Sequence, residues 1–194
     1  AACGVVILLT FAGIRRGIWP LRVWPELYGT LGLAPLVPVL IILLVMANVQ
    51  DARVIHMLYL PLINPLEEGA AFALLGLWAW ARYCTPRVTP YLPWVSRVSP
   101  VLLLGLSFWW INGVLLRALA NYAGVDWNVN DLWHSRLIQT TFALFWMLGA
   151  LVVMLLANRR GSRSEWFCGA GLLGVVLIKL LLVDSAGRGG LARA

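Results

Sequence analysis

Six apolar stretches, at about residues 1–14, 31–49, 66–83, 99–119, 138–158 and 165–183, leave this chain few ways to fold. A run of about 20 mostly apolar residues is what an α-helix needs to cross a bilayer, where no water satisfies an exposed backbone. The expectation is an all-α, polytopic transmembrane bundle, drawn as a single membrane domain over 1–194, with five full helices and one partial N-terminal helix. The first run is too short to span and has no charged segment before an apolar core, so it does not read as a signal peptide. It reads as the tail of a helix whose start precedes Ala1, which makes the chain a fragment of a larger membrane protein. Composition agrees: 12% of the residues are charged and 61% are hydrophobic, where soluble domains carry about 25% charged residues.

The formal charge of +7 raises the question of nucleic acid. The arginines, however, are scattered through short loops rather than gathered on one amphipathic face, so no nucleic-acid partner is expected. Membrane topology accounts for them better. Loops after the first, third and fifth runs hold Arg15, Arg16, Arg22, Arg82, Arg87, Arg97, Arg159, Arg160 and Arg163, against Arg53, Arg117 and Arg136 on the other side. Cytoplasmic loops are enriched in basic residues, so the loops near 51–66 and 120–137 are expected to face outward. The partners this implies are membrane lipids and either the remaining helices of a longer parent chain or other membrane subunits.

The two outward segments are also the polar ones. The first carries Asp51, His56, Asn64, Glu67 and Glu68; the second carries Asn121, Asp126, Asp131, His134 and Gln139. In INPLEEG, Asn64 suits an N-cap, Pro65 the first helical position, and Glu67 the third, where its carboxylate reaches back to the cap. That leaves Glu68 spare, and Glu68 and Asp126 are the candidate catalytic acid and base. Ser99 with Pro100, and SRSE at 162–165, are expected to open the fourth and last helices in the same way.

Polar and aromatic groups at membrane depth add candidates for substrate binding. Trp109 and Asn112 share one helix face, and Gln139, Phe142 and Trp146 share another. The two faces are expected to meet, joining helices or lining a wet cavity, because polar side chains are costly against lipid. Arg117 and Lys179 are the cations expected to hold an anionic headgroup. Lys179 is close enough to its helix end to snorkel, and pairing it with Asp184 would require the last turn to unwind. Cys168, Ala170, Gly171 and Gly174 give the last helix a small face for close packing. Cys3, Cys84 and Cys168 lack metal-ligand spacing, and His56 and His134 stand alone in their segments, so neither a metal nor a cofactor is expected. HMLYLPLI is apolar but short, and reads as interfacial or re-entrant.

The succession YLPLINPLEE, FWWINGVLLRALANYAGVDW, QTTFALFWMLGALVVMLLANRRGSR and WFCGAGLLGVVLIKLLLVDSAG resembles the C-terminal part of a family of large predicted bacterial membrane proteins, domain of unknown function 2339, over about residues 55–194. The resemblance implies a bacterial inner-membrane location and a longer parent with many more helices. It implies no activity. The residues leave three readings open, and with them whether the protein is an enzyme. One is an outward-facing site that binds or modifies a lipid-linked or carbohydrate envelope substrate. Another is a transporter whose path is lined by Asn112, Gln139 and the helix with Pro35 and Pro38. The third is a non-catalytic scaffold or assembly subunit.

Overall fold

The computed structural model describes residues 2–51, 59–161 and 163–188, without the side chains of 164, 180 and 182–188. His56, Met57 and Leu58, the first three residues of HMLYLPLI, and Ser162 of the SRSE motif lie outside the described residues. The long apolar runs fold as helices: α1 (Ala2–Arg16), α2 (Leu36–Ala47), α3 (Pro65–Val88), α4 (Val95–Ala123), a short α5 (Val129–His134), α6 (Arg136–Arg160) and α7 (Arg163–Arg188). A π-helical segment, Leu27–Gly32, leads into α2 through Pro35, which stands at the N-cap of that helix. The described residues contain no strand, and the all-α expectation holds. Among the described residues three helical stretches, Leu27–Ala47, Val95–Ala123 and Arg136–Arg160, are long and apolar enough to cross a membrane. With 24 and 26 residues, α3 and α7 match them in length.

The helix starts show which capping signals act. Asn64 is extended and its side chain accepts from the Leu66 N–H at 3.0 Å, with Pro65 following as expected. Asn128 caps α5 in the same manner. Ser99 and Pro100 do not cap α4, which begins four residues earlier at Val95 and carries Pro100 inside it. The Ser99 hydroxyl is used elsewhere, 3.1 Å from the Thr85 hydroxyl on α3. Gly124 and Gly161 end α4 and α6 in the left-handed conformation, which glycine adopts without steric cost.

The contacts group into two compact units, Ala1–Gly124 and Val125–Ala194. In the first, α3 is the central helix. Its buried Ala70, Ala73 and Leu77 pack with Ile7 of α1, Leu40 and Leu44 of α2, and Leu106 of α4. Small residues bring α1 and α3 into backbone contact. A Cβ on Gly76 would lie 3.1 Å from the Gly4 Cα, and one on Gly4 would collide with the Phe72 carbonyl. Further along, the Phe11 and Tyr83 rings lie 4.9 Å apart, so the two helices run parallel.

The second unit is an antiparallel pair of α6 and α7 with α5 at its start. Alanines at seven-residue spacing, Ala143, Ala150 and Ala157, are all buried along α6. On α7 the buried residues among those described are Gly169 and Val176, again seven apart. A Cβ on Gly169 would press on Met154 and on the Ala150 carbonyl. A seven-residue repeat keeps one seam facing a partner helix, and small residues let the backbones approach. The expected small face of α7 is thus corrected: Gly169 makes the close contact, while Cys168 is exposed and Gly171 faces open space.

Candidate functional site

The ends of three helices converge in the first unit on one charged pair. The Arg117 Nε donates to Glu67 Oε1 at 2.7 Å, and both side chains are fully buried. The second carboxylate oxygen of Glu67 accepts from the Trp110 indole at 2.9 Å, and the Arg117 Nη1 donates to the Ala47 carbonyl at 3.0 Å. Residues at the end of α2, the start of α3 and the last turns of α4 are thereby tied together. Beside them, the Asn48 amide donates to the Trp109 carbonyl. This approach requires Gly113, since any side chain there would collide with Asn48.

Of the two adjacent carboxylates of INPLEEG, it is Glu67 that enters the charged pair. Glu67 does not close a capping box, because Trp110 and Arg117 occupy its oxygens. Burying a carboxylate costs so much that it takes the buried cation in preference to the Asn64 backbone N–H. Glu68, one position on, points about 100° around the helix and is exposed.

The pair leaves two polar atoms unspent. The Arg117 Nη2 and the Tyr59 hydroxyl are both buried without a hydrogen-bond partner. The Tyr59 hydroxyl lies close enough to Glu67 and Arg117 for both to act on it, but it meets hydrogen-bond geometry with neither. Burial, reinforced by the Glu67 carboxylate and opposed by Arg117, pushes its phenol up to about 12. Tyr122 covers it from α4: the Tyr122 hydroxyl donates to the Tyr59 carbonyl at 3.1 Å and the rings meet edge-on at 6.4 Å.

The sequence-derived candidates divide between the two units. Arg117, Glu68, Trp109 and Asn112 belong to the first. Arg117 stands in the converging cluster. Trp109 contributes its carbonyl there, but its side chain is 45% exposed. The Asn112 amide donates to the Phe108 carbonyl of its own helix at 2.7 Å. Asp126, Gln139, Trp146 and Lys179 belong to the second unit. Asp126 is exposed in the turn before α5. Gln139 donates to the Trp133 carbonyl at 3.0 Å, tying α5 to α6. Phe142 and Trp146 share a face and meet edge-on at 6.4 Å. Lys179 holds its ammonium 5.9 Å from the Trp146 ring, which brings two of the expected binding residues together. The helix runs on to Arg188, so the unwinding that an Asp184 partnership needs does not occur.

Sequence reading passed over Tyr59 and Trp110 and assigned Glu67 to capping. The available signal was charge: an acid and an arginine at the same end of membrane helices find each other because each is costly alone. Trp110, four residues after Leu106 on the buried face of α4, sits on that face too, whereas Trp109 is turned outward.

No curated protein and no solved structure matches the chain. A family model described as a predicted membrane protein (DUF2339) matches residues 1–194. This match, over helices whose apolar lengths suit a bilayer and whose buried charges are paired, shows that the chain belongs to the DUF2339 family of predicted membrane proteins.

Proposed function

We propose that this is a multi-pass protein of a bacterial inner membrane that binds the anionic head of an envelope lipid, such as a lipid-linked sugar carrier, at the Glu67–Arg117 end of its first unit. The observation that carries the reading is the buried guanidinium of Arg117. Two of its nitrogens are satisfied by the protein and the third is not, next to a tyrosine hydroxyl in the same condition. A buried donor without a partner costs about 1–3 kcal/mol, and one phosphate or carboxylate oxygen would satisfy both atoms. Access would be past Tyr59 and the exposed Tyr122. The nine-to-three distribution of arginines supports placing this end outward.

The role is binding rather than chemistry, because both oxygens of Glu67 are engaged and it is not a free base. A second reading, that of a scaffold, is favoured by the way the same bonds fasten α2, α3 and α4 to one another. The transporter reading gains nothing from Asn112, whose amide bonds back onto its own helix. Native mass spectrometry of the full chain with a polyprenyl monophosphate and a neutral diacylglycerol decides between binding and scaffolding. Binding requires selective retention of the phosphate lipid, weakened about tenfold by Tyr59→Phe through loss of one hydrogen bond to a charged group. Equal retention of both lipids leaves the scaffold.

A further inference from the structure

The opposite end of the first unit contains a different kind of cationic site. A cleft of about 840 Å³ opens between α1 and α3, lined by Arg15 and Arg16 from one helix and Arg82 and Arg87 from the other. Leu8 and Leu75 line its apolar part, and none of the lining residues is acidic. All four arginines are exposed, and none forms an ion pair among the described residues. Two are held in place: Arg82 lies over the Trp78 ring at 4.9 Å, and Arg87 lies over Tyr83 at 3.6 Å while donating to the Tyr83 carbonyl at 2.7 Å.

The cleft follows from how the helices pack. The parallel pair touches through Gly4 and Gly76, and large side chains hold it apart toward the arginine end. Its apolar wall continues onto the exposed outer surface of α3, where Leu75 and Trp78 are each about half exposed. The neighbouring loops carry the exposed aromatic residues Trp19, Trp24, Tyr91 and Trp94. Such residues gather at the headgroup level of a bilayer, so the four guanidinium groups stand at the depth of lipid phosphates.

We propose that this cleft binds an anionic glycerophospholipid, with an acyl chain along Leu8 and Leu75 and the phosphate among Arg15, Arg16, Arg82 and Arg87. Charge complementarity selects the occupant. Four positive groups with no acidic residue in the cleft lining favour a net negative head over a zwitterionic one, and an apolar wall beneath them suits a lipid rather than a free ion. The site is independent of the Arg117 cluster.

The test is native mass spectrometry of the detergent-purified full chain with phosphatidylglycerol and phosphatidylcholine of identical acyl chains. The wild type retains phosphatidylglycerol preferentially. Arg15→Gln with Arg82→Gln lowers that retention about 25-fold, taking each arginine near an anionic surface as worth about a factor of five. Leu75→Trp, which preserves every charge but fills the apolar wall, also lowers it, and this variant alone decides the matter if the double variant loses its helical circular dichroism. Equal retention of the two lipids overturns the proposal. So does a folded double variant that keeps the preference, or displacement of the lipid by an equal concentration of inorganic phosphate.

Discussion

The two ends of the first unit use arginine in opposite ways. At one end Arg117 is fully buried, its fork directed at the Glu67 carboxylate and the Ala47 carbonyl. At the other, Arg15, Arg16, Arg82 and Arg87 are exposed, and the two with described contacts rest on aromatic faces or a carbonyl of their own helix. The difference is one of solvation. A guanidinium that keeps its water contributes little to folding and remains available to a ligand, whereas one stripped of water must find partners inside the fold. The same side chain is therefore part of the architecture at one end and part of the surface chemistry at the other.

The largest expected effect comes from breaking the buried pair. Glu67→Ala should cost about 3–5 kcal/mol, because it leaves Arg117 buried and uncompensated. Arg82→Gln at the exposed end should stay within about 0.5 kcal/mol. Thermal unfolding in detergent, followed by circular dichroism, measures both. If the two variants melted together, the contrast between the ends would be broken. Replacing both partners, Glu67→Met with Arg117→Met, sharpens it: removing both charges should recover much of the loss.

A smaller effect probes the helix contact that leads from one end to the other. Gly4→Val must push α1 off the Phe72 carbonyl, an overpacking cost of about 1–3 kcal/mol. Gly105→Ala on α4 meets nothing within 4 Å and should be neutral or slightly stabilising. Equal melting temperatures for these variants would mean that the Gly4–Gly76 approach is not what positions the cleft.

The smallest effect separates the cap from its neighbour at the buried end. Asn64→Ala should cost about 0.5–2 kcal/mol through loss of the bond to the Leu66 N–H, while Glu68→Gln, exposed, should stay within about 0.5 kcal/mol. A larger loss for Glu68→Gln in the same melting experiment would assign it a structural role that its position on α3 does not suggest.

Much of this was legible beforehand, and the misses share a cause. The helices were found because apolar length is a local property, and Asn64–Pro65 was read correctly because a cap is settled within one turn. The start of α4 was misread because Ser99 and Pro100 satisfy the same local rule, yet the Ser99 hydroxyl faces Thr85 on another helix. Glu67 was misassigned for the same reason: its competing partners lie 43 and 50 residues away. The alanine repeat at 143, 150 and 157 was present in the sequence, but its meaning depends on a facing helix with Gly169 at the matching level.

By itself the sequence determined the solvent and the secondary structure of this protein, since hydrophobic length and capping depend on neighbours within a few residues. Tertiary structure alone decided which carboxylate is buried, which tryptophan turns inward, and where the arginines are paired or free. Those outcomes depend on desolvation, and a side chain's loss of water is set by whichever distant helices come to pack around it.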